Sequence, residues 1–211
     1  GGHRQLPNVL VQRDLELGVV AEQLGRPRDV VSTMDDDLDS LAAIFKAYDV
    51  RGTVPDQLDA GLAERIGAAF ARFVADTDGA DRVLVARDMR PSGVELAAAF
   101  AEGVQRQGLD VVDLGLASTD MMYFAAGTLD APGAMFTASH NPGEYNGCKM
   151  VKREAFPLSG EAGIKEMKEM ILGGTLPPPG GSPGTTEPGE MLGRYVGHVM
   201  SFIDESIIKP F

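Results

Sequence analysis

Residues 136–149 read Phe-Thr-Ala-Ser-His-Asn-Pro-Gly-Glu-Tyr-Asn-Gly-Cys-Lys. This short run holds a hydroxyl (Ser139), an imidazole (His140), two amides (Asn141 and Asn146) and an ammonium (Lys149). A serine hydroxyl can accept a group and later donate it, splitting one transfer into two. Imidazole and amine can carry the protons that such transfers move. Gly143 and Gly147 permit positive φ, and Pro142 limits the loop's freedom. A loop of this kind can offer several donors to one anion. Its composition also fits an ordinary turn, because turns favour the same residues for conformational reasons. A Ser-His hydrolase is the poorer reading. The serine stands outside a Gly-x-Ser-x-Gly elbow, and adjacent Ser139 and His140 are expected to be poorly placed as nucleophile and base.

The surrounding pattern alternates strands and helices. Leu58, Leu62, Ile66, Phe70 and Phe73 recur at helical spacing. Val83–Val85 reads as a buried strand. Pro91 and Ser92 open a helix in which Ser92 and Glu95 form a capping box, continuing through Leu96, Phe100 and Val104 to Gly108. Val111 and Val112 begin a strand ending at Leu114-Gly115. A helix around Met121–Ala126 and a strand at Ala134–Phe136 follow, so the serine loop leaves a strand end directly. That is where open α/β sheets bind ligands. Lys149–Lys152 reads as a short strand, and Ser159 caps a helix bearing Ile164, Met167 and Ile171, with Met167 and Met170 as core filler. Residues 173–189, rich in Gly and Pro, read as an exposed loop, and a last helix spans about 190–204. Right-handed crossovers then imply a largely parallel sheet with helices on both faces.

The chain has 211 residues and a formal net charge of -12, which argues against a broad nucleic-acid surface. No stretch reaches the roughly 20 apolar residues of a membrane span, and no export signal is read at the N-terminus. Cys148 is the single cysteine, so no intramolecular disulfide can form. That fits a cytoplasmic location. Residues 1–33 differ in character from the rest. Met34, before Asp35-Asp36-Asp37, is expected to be the natural start, and the preceding segment a vector-derived or upstream stretch. A second reading takes Ala21, Gly25 and Val31 as a helix-turn-helix spacing beside Arg26-Pro27-Arg28. Salt-dependent retention on DNA would test it, and none is expected.

The order Thr-Ala-Ser-His-Asn-Pro, Tyr-Asn-Gly, Lys149 resembles the active-site serine loop of the phosphomannomutase/phosphoglucomutase (alpha-D-phosphohexomutase) family. Lys46-Ala-Tyr-Asp-Val-Arg-Gly52 is similar to that family's N-terminal signature. Arg87-Asp88-Met89-Arg90-Pro91-Ser92 resembles a third element, and Gly115–Phe124 the segment before the serine strand. The elements occur in the family's order, from about Ala42 onward. The resemblance implies an α/β fold: the family's domain I, a three-layer α/β/α sandwich on a mostly parallel (mixed) sheet. It says nothing of residues 1–33, read as an N-terminal extension of unclear origin, and it makes 34–189 domain I with the serine loop and 190–211 a C-terminal helix leading towards a second domain.

The resemblance also implies an activity. The family's serine takes a phosphoryl group from a hexose 1,6-bisphosphate primer and returns it to the sugar, interconverting mannose or glucose 1- and 6-phosphates. By position Ser139 is that serine. Lys149 is favoured as catalytic base. His140 is read as its hydrogen-bonding partner, with direct proton transfer and a structural loop role both open. Arg51 matches a phosphate-binding arginine, for which a planar guanidinium suits bidentate contact. Asn141 shapes the loop or contacts phosphate. Tyr48 faces the sugar or packs in the core. Cys148, where the family has a bulkier apolar residue, is packing. Arg87 stands where a small residue is expected.

The family's phosphoserine works with Mg2+, bound through its phosphate and by an Asp-Gly-Asp-type loop in the second domain. That loop is not in this sequence, nor are the sugar-recognition and C-terminal phosphate loops. Asp35–Asp37 and Asp39 form an acidic run without a glycine turn, and such runs are usually solvated. Phosphoryl transfer depends on positioning and charge neutralisation. Losing about 4 kcal/mol of stabilisation slows a step roughly a thousandfold. This polypeptide alone is therefore expected to show little mutase turnover, its partners being the phosphohexose substrate and the remaining domains of the enzyme, not nucleic acid or membrane. The alternative is a phosphate-binding module without catalysis.

Overall fold

A computed structural model describes residues 40–179 and 181–208. The chain divides into two units, 1–43 and 44–211, and the elements below belong to the second. The helix-turn-helix spacing and the acidic run at 35–39 lie outside the described residues.

The elements follow the expected alternation. They are β1 (Val50–Thr53), α1 (Ala60–Asp78), β2 (Arg82–Arg87), α2 (Ser92–Arg106), β3 (Asp110–Leu116), α3 (Thr119–Leu129), β4 (Gly133–Phe136), β5 (Tyr145–Val151), α4 (Ile164–Leu172), β6 (Thr186–Pro188) and α5 (Leu192–Met200). They build one six-stranded sheet in the order β1-β5-β4-β2-β3-β6. β4, β2, β3 and β6 run parallel, whereas β5 is antiparallel to both β4 and β1. The mixed α/β sheet is thus confirmed.

Strand alternation sorts the core into two layers. Leu84, Ala86, Val112, Leu114 and Met135 meet Met121, Met122, Ala125 and Ala126 of α3 on one face. On the other, Phe100 of α2 lies between Phe136 of β4 (ring centroids 5.4 Å, edge-on) and Phe70 of α1 (5.9 Å). All three rings are fully buried. α1 and α2 pack closely because two glycines face backbone: a Cβ on Gly67 would lie 2.1 Å from Phe100 O, and one on Gly103 2.0 Å from Glu64 O. Met167 is fully buried as expected, while Met170 is half-buried.

Five local expectations are corrected. Ser92 and Glu95 form no capping box. The first free N–H groups of α2 turn back on the Arg90 and Pro91 carbonyls, which leaves the Ser92 hydroxyl to accept from buried Asn146 Nδ2 at 2.9 Å. Ser159 does not cap α4; Gly163 precedes it, and its N–H donates to Glu166 Oε2 at 3.0 Å. The strand expected at Lys149–Lys152 begins four residues earlier at Tyr145, so Asn146 and Gly147 belong to the sheet. The Gly/Pro-rich segment also contributes a strand, because β6 pairs with β3. Asp110 anchors it by accepting from Thr185 N–H at 2.7 Å and Thr185 Oγ1 at 2.9 Å. The last helix is shorter than expected. It packs through Tyr195 and His198 against Phe124 of α3 and exposes Leu192 and Val196. No helix among the described residues is long and apolar enough to cross a membrane.

Cys148 packs in the core at 1% exposure, and burial, reinforced by the Asp49 charge, drives its thiol far above its ordinary pKa. Thiolate is the reactive form. Native protein is therefore expected to resist a thiol-modifying disulfide reagent, reacting fully only in denaturant. Rapid stoichiometric reaction of the native chain would contradict this placement.

Candidate active site

The serine loop leaves β4 and returns as β5, so an antiparallel pair holds both its ends. Ser139 takes the left-handed conformation (φ 54). Neither Gly143 nor Gly147 does, contrary to the freedom expected of them. The turn at the strand end is made by the serine itself, whose N–H donates to Thr137 Oγ1 at 3.0 Å. This projects the side chain outward, and Ser139 and His140 are both exposed. A left-handed non-glycine residue costs of order 1 kcal/mol, and such strain gathers at functional sites. Ser139→Gly is therefore expected to be more stable than Ser139→Ala by about 1 kcal/mol in urea unfolding. The reverse order would contradict the turn.

The Ser139 Oγ lies 3.0 Å from His140 Nδ1. The two adjacent side chains do meet, against the expectation that neighbours in sequence would be poorly placed. The left-handed turn brings the serine hydroxyl within hydrogen-bond distance of the next ring's Nδ1.

Gly147 is required for a different reason. In the β1–β5 register it stands opposite Arg51, and a Cβ there would lie 2.3 Å from Val50 O. This close approach carries Arg51 to the loop. Its Nη1 donates to Asn141 Oδ1 at 2.7 Å, and its Nη2 donates to Asp49 Oδ2. Lys149 Nζ reaches the same Asp49 oxygen at 3.3 Å. Asp49 is 7% exposed and joins the arginine to the lysine. Arg51 Nε is buried without a hydrogen-bond partner. Two cations with one carboxylate leave a local positive excess on an acidic chain, which suits anion binding.

Tyr48, next to Asp49, is 69% exposed; the core-packing alternative is corrected. The structure therefore brings together Ser139 with His140, Asn141 with Arg51, and Arg51 with Lys149 through Asp49. It leaves Tyr48 outside these contacts.

Two residues with large roles in this geometry were missed. Asp49 lies inside the Lys46–Gly52 signature, just before β1, and its spacing of two from Arg51 was the available signal. Arg90 enters the loop from the β2–α2 turn. Its side chain, 12% exposed, donates to the carbonyls of Pro142 (2.7 Å) and Tyr145 (2.9 Å) through Nη1, and of Ser139 (3.0 Å) and Asn141 (2.7 Å) through Nη2.

Residues 42–174 match the family model described as phosphoglucomutase/phosphomannomutase, alpha/beta/alpha domain I. The chain belongs to the phosphoglucomutase/phosphomannomutase family. A Xanthomonas campestris pv. campestris protein called phosphohexose mutases is 38% identical over 168 residues, which is 79% of this chain and 36% of that protein. An Escherichia coli phosphomannomutase is 36% identical over 162 residues, 76% of this chain and 35% of its own length. The crystal structure of a phosphoglucomutase/phosphomannomutase family protein from Burkholderia thailandensis superposes with a TM-score of 0.68 at 36% identity, covering 77% of this chain and 36% of that one. The chain thus spans about a third of the length of the relatives it matches, and the match is to domain I.

No three His, Cys, Asp or Glu side chains cluster as a cation would require among the described residues. They do not by themselves fit a Mg2+ ion. A phosphoryl group on Ser139 would add oxygen donors but no protein ligand set.

Proposed function

We propose that this chain is the phosphoserine-bearing part of a hexose-phosphate mutase acting on mannose or glucose phosphates. The observation that carries the reading is the exposed Ser139 hydroxyl, held in a left-handed turn 3.0 Å from an imidazole and followed by an amide on the Arg51–Asp49–Lys149 array.

In the uptake step Ser139 Oγ attacks the phosphorus of a hexose 1,6-bisphosphate. The new Oγ–P bond forms as the bond from phosphorus to the sugar oxygen breaks. The serine proton passes to His140, and the leaving sugar oxygen takes a proton from the Lys149 ammonium. In the return step Lys149 is the base that deprotonates the attacking sugar hydroxyl, as microscopic reversibility requires. Arg51 and Asn141 hold the phosphoryl oxygens, and exposed Tyr48 is assigned to the sugar. Mg2+, implied by the resemblance, would take its remaining ligands from outside the described residues, and no step is routed through it. Residues 34–189 are taken as domain I and 190–211 as the segment leading towards a second domain, in a cytoplasmic enzyme.

The test is to incubate the chain with glucose 1,6-bisphosphate and Mg2+, then measure intact and peptide mass. One added phosphoryl group at Ser139, with release of hexose monophosphate, is expected; Ser139→Ala should take up none. Bisphosphate that binds without any transfer would favour the phosphate-binding module. Label on another residue would sink the serine assignment.

A further inference from the structure

Arg90 does something that the catalytic assignment leaves unexplained: one guanidinium gathers four carbonyls from the seven-residue stretch Ser139–Tyr145. Among the described residues its one ion pair is with Asp88 of its own turn. Asp88 Oδ2 lies 3.4 Å from Nε, and Asp88 Oδ1 accepts the Arg90 N–H at 2.9 Å. The aspartate therefore fixes the arginine's base while the fork of the side chain points into the loop. A planar fork can do this; a single ammonium cannot.

The consequence follows from peptide geometry. In a trans peptide the C=O and the next residue's N–H point in opposite directions. The one cis bond among the described residues is Val54-Pro55. With the Ser139 carbonyl turned in towards Arg90, the His140 N–H is turned out. With the Pro142 carbonyl turned in, the Gly143 N–H is turned out. The Asn141 carbonyl precedes Pro142, which has no N–H to present. Neither the His140 nor the Gly143 N–H has an acceptor among the described residues, and both residues are exposed. A loop with four of its carbonyls drawn onto one largely buried cation shows donors on its other side, as in the backbone concavities that bind anions.

We propose that Arg90 is a positioning residue for the Ser139 loop: by drawing the carbonyls inward it presents the His140 and Gly143 N–H groups to the phosphoryl group. Both terminal nitrogens of Arg90 are engaged by the loop carbonyls. Its effect is exerted through the orientation of two peptide units. The proposal rests on Ser139 as the phosphoryl acceptor, but its test does not require transfer.

The test uses the full chain, isotopically labelled, titrated with inorganic phosphate while amide shifts are followed. In the wild-type protein the largest phosphate-induced shifts are expected at the His140 and Gly143 amides. Arg90→Lys, which keeps the charge but not the fork, should lose most of that response, while amides of α1 and the melting cooperativity stay native; Arg90→Gln should behave like Arg90→Lys. Wild-type shifts that fall elsewhere overturn the proposal. So does full recovery of the response in Arg90→Lys, which would make charge alone the cause. Should neither variant fold, the position of the wild-type shifts decides. Failure of Ser139 to take up phosphoryl from the bisphosphate, with these shifts intact, would instead reject the mutase reading and leave the loop's phosphate site standing.

Discussion

Gly147→Ala is expected to lower stability by about 3 kcal/mol, at the upper end of what overpacking costs. The added methyl would lie 2.3 Å from Val50 O, 3.2 Å from Thr137 O and 3.3 Å from Arg51 Cα. All three are backbone atoms, so no side chain can rotate away. At roughly 2–4 °C per kcal/mol for a chain of this size, the melting temperature should fall by roughly 6–12 °C. The damage is also local to the site, because relief of the clash means moving β1, which carries Arg51, away from β5, which carries Lys149. Thermal unfolding with a parallel urea titration measures it. A loss below about 0.5 kcal/mol, the scale of ordinary surface substitutions, would show that the two strands do not approach as described.

The second large effect is functional. Arg51→Ala should slow phosphoryl uptake by Ser139 by about a hundredfold or more, the scale seen when a fixed donor to developing charge is removed. Three contacts disappear or are orphaned together. Asn141 Oδ1 loses its donor, Asp49 keeps Lys149 as its ion-pair partner, and the phosphate contact proposed for the guanidinium goes. Arg51→Lys should recover little, since a point charge cannot hold Asn141 and Asp49 at once. Quench-flow measurement of phosphoserine formation from glucose 1,6-bisphosphate is the readout. A rate within threefold of wild type would remove Arg51 from the site.

Much of this arrangement could be read from the sequence, because it is written in short-range pattern. Runs such as Val83–Val85 and Ala134–Phe136 announce buried strands, and helical spacing from Leu58 to Phe73 announces α1. The Ser139 loop carries its chemistry in consecutive residues. What the sequence hid depends on partners far along the chain. Asn146 and Gly147 look like turn residues, yet they sit in a strand because they pair with Gly52 and Arg51 of β1, far earlier in the chain, and Asn146 gives its amide to Ser92, 54 positions away. The three residues of β6 lie in a Gly/Pro-rich stretch and are held by a single edge pairing to β3 and by Asp110. The Ser92 capping box failed because Pro91, not Ser92, stands at the N-cap of α2, and the first N–H groups bond the Arg90 and Pro91 carbonyls. Asp49 and Lys149 meet across 100 positions, and Arg90 reaches its four carbonyls across about 50. No local pattern marks such contacts.

The carboxylate shared by Arg51 and Lys149 also sets a valence threshold. Those two cations are already neutralised in part by Asp49, so an incoming ion must compete with an internal one that has paid no entropy to arrive. A monoanion such as chloride or acetate can offset only the one charge that Asp49 leaves. A phosphate monoester at neutral pH brings a second charge and a third acceptor oxygen, and can engage both cations without expelling the aspartate. Below about pH 6, where phosphate monoesters fall to a single charge, that advantage disappears. Under the proposed function, a site of this modest net charge is expected to favour dianions over singly charged ions.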